Sequence, residues 1–233
     1  MIAFENVGKR YPGGVTALSD VDFEIAHGEM VFLTGHSGAG KSTLLKLIAL
    51  LERPTRGQLL FEGRNVARIS RGQIPYLRRH VGVIFQDHKL LTDRKVFDNV
   101  ALPLLIAGHP WSDIRRRVRA ALDRVGLGDK AGFNVLALSG GQQQRVGIAR
   151  AIVAKPPMLL ADEPTGNLDP ALSEDLMGLF ATLNELGTTV LIATHDLHLV
   201  RRLGRRVLVL DDGRIVDDVP PSRAGHVGPE AVR

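Results

Sequence analysis

The sequence predicts an α/β domain: a buried parallel sheet, antiparallel strands at the N-terminal end, and a block of helices inserted midway. Three observations carry this. The runs "MVFLTG" (30–35), "PMLLAD" (157–162) and "TTVLIAT" (188–194) are apolar without alternation, as in strands covered on both faces. Val21, Phe23 and Ile25 instead alternate with Asp22 and Glu24, the period of a half-buried strand. From about 96 to 154 the pattern becomes helical.

In chain order, "MIAFENVGKRY" and "ALSDVDFEIAHGE" predict the antiparallel strands, and "MVFLTG" a buried strand that feeds a glycine loop and then the helix "STLLKLIALL". "GQLLFEG" (57–63) and "HVGVIFQD" (80–87) read as further strands, the first preceded by turn chemistry in "RPTRG". In "SDIRRRVRAALDRVGLG", Ile114, Val118, Ala121, Leu122 and Val125 share one face, Ser112 is placed to cap the start, and Gly126 sits where helices stop. "RRVLVLDDGRIVDD" predicts a hairpin hinged on Asp212 and Gly213. The 233 residues suit a single domain, 1–233, with a helical subdomain at about 90–154 and a loose tail at about 219–233.

Composition narrows the function classes. The absence of cysteine excludes thiol catalysis, disulfides and thiolate metal sites. No run approaches the eighteen or so apolar residues of a membrane-spanning helix, and the start lacks a signal peptide's apolar core, so a cytoplasmic location is expected. The net charge of +5 is concentrated in "LRRH" (77–80), "RRRVR" (115–119) and "RRLGRR" (201–206). No aromatics are interleaved there for base stacking, which favours solvated faces or an anionic membrane surface over nucleic acid.

Gly35-His36-Ser37-Gly38-Ala39-Gly40-Lys41-Ser42 fits G-x-x-x-x-G-K-[ST] between an apolar strand and a helix. Backbone N–H groups and the helix N-terminus would cradle a β-phosphate, Lys41 would bridge the β- and γ-phosphates, and Ser42 would ligate Mg²⁺. A chance lysine after a glycine-rich turn is the plainer alternative; the strand, loop and helix context weighs against it. Asp162, ending "PMLLAD", is placed to hold the metal shell opposite Ser42, and Glu163 to take a proton from an attacking water. Glu163 alone could be a surface acid in a turn, but beside a phosphate loop hydrolysis is the expected reaction.

Small-molecule kinases, GTPases, helicases and transport ATPases all share those two motifs. A second glycine-rich, amide-exposing helix start lies at Leu138-Ser139-Gly140-Gly141-Gln142, which in isolation reads equally well as a capped helix beginning at Ser139.

With "GHSGAGKST", "IFQD", "LSGGQQQR", "LLADEPTGNLD" and "ATHD" in this order, nearly the whole chain resembles the ABC-type ATPases. The resemblance implies a P-loop NTPase fold with a RecA-like core, an N-terminal antiparallel β-subdomain and an α-helical signature subdomain. It also implies an ATP-dependent head-to-tail homodimer, each ATP held between residues 35–43 (through Thr43) of one copy and Ser139, Gly140, Gly141 and Gln142 of the other. Tyr11 would stack on adenine, Gln86 would contact Mg²⁺ beside Ser42 and Asp162, and Asp169 would belong to the segment crossing the interface. Lys41, Glu163 and His195 would be catalytic, His195 holding the γ-phosphate and the water. Singly, Tyr11 reads as a strand-end aromatic, Gln86 as a loop polar group and His195 as a helix cap, with Asp196 an equal candidate for that cap. The catalytic positions carry no substitution, so active hydrolysis is expected.

Within the family, "GEMVFLTGHSGAGKSTLLKLI" and "VGVIFQDHKLLTDRKVFDNVALPLLIAG" look like its bacterial cell-division branch, although Gln142 stands where glutamate is expected. That branch implies a peripheral ATPase on the cytoplasmic face of the inner membrane at the division site. It would act with an FtsX-like integral membrane protein, and with other division proteins alongside, to switch on cell-wall hydrolases; no nucleic-acid partner is expected. Alternatives are the ATPase of a conventional transporter of lipoprotein-release or efflux type, or a soluble ABC ATPase acting on DNA or ribosomes. The apolar "KLLTDRKVFDNVALPLL" would receive the membrane partner in the groove beside Gln86, or else form the core of the helical insert.

Overall fold

The computed structural model describes residues 1–166 and 168–226. Its first four-stranded sheet runs β2-β1-β4-β5 and is antiparallel throughout. β1 (Ile2–Arg10) and β2 (Thr16–Ile25) bring Phe4 opposite Phe23, with rings stacked 4.5 Å apart. β4 (Arg56–Phe61) lines the other edge of β1 and turns through Glu62 and Gly63 into the short β5 (Arg64–Asn65). The connection onward holds a short helix, α2 (Ile74–Arg78), so the "LRRH" cluster lies at a helix end.

The second sheet is the six-stranded centre of the molecule, ordered β10-β9-β3-β8-β7-β6. β3 (Met30–Thr34), β6 (Val81–Ile84), β7 (Met158–Asp162), β8 (Thr189–Ala193) and β9 (Arg206–Asp211) run parallel; β10 (Arg214–Val219) folds back antiparallel. The unalternated apolar runs have a direct cause, since successive residues serve two different cores. Val31, Leu160, Leu191 and Leu208 pack with the antiparallel sheet and α1 (Lys41–Ile48), whereas Phe32, Leu159, Val190 and Val207 pack with the helices on the other face.

Those helices include α3 (Val96–Ile106), α4 (Trp111–Arg124) and α5 (Gly140–Ile152), which touch one another, together with α6 (Pro170–Glu185) and α7 (Leu197–Leu203). Ile114, Val118, Ala121 and Leu122 are the buried face of α4, and Gly126 follows its end with φ of 67°. Ser112 is not the cap. Pro110 occupies that position in extended backbone, its fixed φ suiting the residue before the first turn, and Trp111 at the first helical position meets Phe97 edge-to-face.

The β9–β10 hairpin turns on Asp212 and Gly213, both at positive φ, the two-residue geometry that a right-handed strand twist favours. Part of the segment read as a loose tail is ordered. Residues 221–226 form a 3-10 turn against α7 and β9, because Ala224 is fully buried in the helical-side core. The remainder of that tail, 227–233, lies outside the described residues.

Candidate active site

β3 ends at Thr34, and the chain then turns through residues 35–40 into α1. Two glycines make the turn possible. A Cβ on Gly35 would sit 2.1 Å from the Leu210 carbonyl oxygen, and one on Gly40 2.6 Å from that of Ala17. Gly40 occupies the cap position of α1 with φ of 110° and offers no side-chain cap, so the first amides of the helix face outward as donors for an anion. Lys41 closes the loop, its Nζ donating to the carbonyls of Gly35 (2.6 Å) and His36 (3.0 Å). Burial pushes the Lys41 ammonium below its ordinary range, against the carboxylates of Glu163 and Asp162, which act to raise it.

A cavity of about 520 Å³ opens over this loop. Ser37, Gly38, Gly40, Lys41, Ser42 and Thr43 form its floor, and Gln86, Asp162, Glu163 and His195 its walls. These side chains come from the ends of different strands. Gln86 follows β6, Asp162 ends β7 with Glu163 next, and His195 follows β8. Open parallel sheets characteristically place ligands at the carboxyl ends of their strands.

Burial pushes the Asp162 carboxyl up; Ser42 opposes this, Glu163 adds to it, and Lys41 and Lys46 pull it down. Glu163 has φ of 47°, unusual for a residue with a side chain, and is held there by its N–H bonded to the Ala193 carbonyl at 2.9 Å. Its Oε2 accepts from the His195 backbone N–H at 3.4 Å and lies 2.9 Å from His195 Nδ1. The glutamate is mostly covered, while the histidine ring stands in solvent at the cavity mouth. A cationic cradle thus faces a covered carboxylate oriented by an imidazole, an arrangement able to bind a polyphosphate and take a proton from water beside it.

Other candidate residues lie elsewhere. The His36 side chain turns away from the cavity toward the β9–β10 hairpin, and Ala39 is buried beneath the loop. Tyr11 sits beyond the floor, donating to Glu52 at 2.9 Å with Lys9 over its ring, its hydroxyl 3.4 Å from that of Thr43. Ser139, Gly140, Gly141 and Gln142 head α5 outside the cavity. There Ser139 and Gln142 form a reciprocal capping box, a role glutamine fills as glutamate would. Asp169 caps α6 through the Leu172 N–H, and Asp196, not His195, caps α7.

Three supporting side chains were not picked out from sequence. Gln144, almost fully buried, donates from α5 to the Pro164 carbonyl at 3.0 Å, one residue beyond Glu163. Arg150, also on α5, clasps the carbonyls of His88 and Lys89 at 2.6 Å each, just past Gln86. Asn99, fully buried, exchanges hydrogen bonds with the backbone of Leu91. Each is an amide or guanidinium on a helix face, which in one sequence cannot be told from a solvated polar position.

Comparison with known proteins gives four findings that agree on the family. The family model described as "ABC transporter" matches residues 18–166. The chain is 60% identical over 215 residues to the cell division ATP-binding protein FtsE of Escherichia coli (strain K12), covering 92% of this chain and 97% of that one. It is also 47% identical to the methionine import ATP-binding protein MetN of Caulobacter vibrioides, across 94% of this chain and 66% of MetN. Among solved structures, the dimeric post-hydrolysis state of the ATP-binding cassette MJ0796, bound to ADP and Pi, superposes with a TM-score of 0.89 at 36% identity, covering 94% of this chain and 97% of that one.

Proposed function

The chain belongs to the ABC transporter family, and from that premise we propose that it is the ATP-hydrolysing subunit of an FtsEX-type cell-division complex. It is an ABC-type ATPase closely similar to FtsE. In the proposed complex two copies join two FtsX-like membrane proteins, and closure of the ATPase pair activates cell-wall hydrolases across the membrane. No helix among the described residues is long and apolar enough to cross a membrane; in the proposed complex the FtsX-like partner supplies the spanning part. The placement would be peripheral, on the cytoplasmic face at the division site.

One observation carries the mechanism: the amide-rich head of α5 lies outside the cavity that holds Lys41 and Glu163. A second copy, docked head-to-tail, would bring its Ser139–Gln142 over the phosphates, with Asp169 near the seam and Tyr11 against adenine. ATP would then be the link between the two copies. Glu163 would deprotonate the attacking water, His195 would hold the γ-phosphate and that water, and Lys41 with the opposing amides would stabilise charge on the transferred group.

Ser42, Gln86 and Asp162 offer the hard oxygen donors that suit Mg²⁺, and a carboxyl pushed up by burial beside a second carboxylate favours a nearby cation. When bound, the ion would supply charge neutralisation on the phosphates.

The membrane partner would dock in a groove of about 480 Å³ beside the Gln86 segment, lined by Arg79, Val83, Phe85, Pro103 and Ala107 among others. Much of the apolar insert sequence is core, with Val96, Val100, Ala101 and Leu104 buried, but Leu91, Leu105 and Ile106 are exposed. A conventional importer ATPase is the second reading, favoured by the similarity to MetN.

Affinity capture of the Glu163→Gln protein with MgATP from detergent-solubilised native membranes separates the two. Recovery of an FtsX-like protein of few spans supports the division role; a many-spanned permease overturns it. Leu91→Glu should abolish capture while leaving nucleotide binding intact.

A further inference from the structure

His36 is in the phosphate loop, yet its side chain leaves the cradle. Nδ1 lies 2.7 Å from the Ser37 carbonyl oxygen, so this nitrogen carries the proton and donates. Nε2 lies between two carboxylate oxygens, Asp211 Oδ1 at 3.2 Å and Asp212 Oδ1 at 3.5 Å. Three possible ligand atoms converge, all within 4.8 Å of one another. A single N–H on Nε2 could point at only one of the two oxygens; a metal ion serves both.

We propose that His36, Asp211 and Asp212 form a divalent transition-metal site, Zn²⁺ being its fitting ion, that ties the phosphate loop to the tip of the β9–β10 hairpin. With metal–ligand bonds near 2.0–2.2 Å, tetrahedral coordination puts ligand atoms about 3.3 Å apart, matching both histidine–aspartate separations. The bond from Nδ1 to a backbone carbonyl is the outer-shell contact that orients metal-binding imidazoles.

The two ligand-bearing segments are also held together independently of any ion. The Gly213 N–H donates to the Ala39 carbonyl at 3.0 Å, while the Gly213 carbonyl accepts from the Ser19 N–H of β2 at 2.8 Å and so anchors the hairpin tip separately. The backbone of Gly35 approaches Leu210 too closely to admit a Cβ. Rigid segments place ligands without an ordering cost on binding. One nitrogen and two carboxylates suit the later first-row ions better than Mg²⁺ or Ca²⁺, and the open side leaves room for water.

The test is calorimetric titration of the nucleotide-free full chain with Zn²⁺, in millimolar Mg²⁺, for the wild type, His36→Gln and the double variant Asp211→Asn/Asp212→Asn. The double variant keeps all eight histidines and the Asp162–Glu163 pair, so it separates this site from other zinc-binding groups. Expected are one Zn²⁺ per wild-type chain, a zinc-dependent rise in melting temperature, and at least a tenfold loss of affinity in both variants. Equal binding by wild type and double variant overturns the proposal, as does a wild type that shows neither heat nor a melting shift with Zn²⁺. Melting curves without zinc verify that each variant is folded.

Discussion

Gln144→Leu isolates a contact through which α5 supports the turn that carries Glu163. The side chain is almost fully buried, and its Nε2 donates at 3.0 Å to the Pro164 carbonyl, itself on a buried residue directly after Glu163. Leucine fills a similar volume but cannot donate, so the Pro164 carbonyl loses its partner. Leaving a buried acceptor unsatisfied costs about 1–3 kcal/mol. Glu163 is already in a backbone region with little tolerance, at φ of 47°, so much of that cost should fall on its placement. Converted at 1.36 kcal/mol per tenfold, the loss in kcat spans about 5-fold to about 150-fold. Steady-state phosphate release, binding of a fluorescent ATP analogue and thermal melting should be measured together. The expected outcome is a fall in kcat with ATP affinity within about twofold of wild type. Gln144→Glu, which keeps the length but cannot donate when ionised, should do no better. A variant whose melting temperature falls while kcat stays unchanged would refute the reasoning, placing the bond in the service of the fold alone.

Glu163→Gln should lower turnover by about 10²- to 10⁴-fold and accumulate ATP-loaded dimers on size exclusion, whereas normal turnover would remove Glu163 from the role of base. Gly35→Ala puts a Cβ 2.1 Å from a backbone oxygen, and at a strain of about 1–3 kcal/mol the melting temperature should drop and ATP bind at least about 5-fold more weakly; unchanged binding contradicts the close approach of the loop to Leu210. For Glu52, burial acts to raise the carboxyl, but hydrogen bonds from Lys9 and Tyr11 outweigh it and hold the group below its ordinary range. A depressed folded-state value means the stabilisation is present above the unfolded pKa of about 4.3 and is lost as pH falls through the lower folded value. The melting-temperature gap between wild type and Glu52→Gln should therefore be widest near neutrality and close in acid; a gap independent of pH speaks against the Lys9–Glu52–Tyr11 cluster.

The central sheet was legible because its strands are covered on both faces, so Met158–Ala161 and Val190–Ala193 show unbroken apolar runs. The phosphate loop was legible because its glycines answer a backbone need that few other residues meet. What escaped sequence reading is what depends on partners distant along the chain. The β4–β5 hairpin turns on Glu62-Gly63, a weaker signal than Asp212-Gly213, and β5 has only two residues. Ser112 reads as a cap because serine often is one; the helix starts two residues earlier, with Pro110 at the cap position. Ala224 is anchored by burial that no periodicity announces. His36 fitted the loop motif by position, yet its ring is claimed by aspartates some 175 residues away in sequence.

α5 has thirteen residues, a rod about 20 Å long at 1.5 Å per residue. Its head is the capped Ser139–Gln142 turn, its middle holds Pro164 through Gln144, and its far end grips the carbonyls after Gln86 through Arg150. In the proposed head-to-tail pair, the head of this rod would touch one nucleotide while its flanks brace the walls of the other nucleotide's cavity. The two sites would then be mechanically in series. Filling one would pre-align the other, so hydrolysis should rise with ATP more steeply than a hyperbola, with a Hill coefficient between one and two.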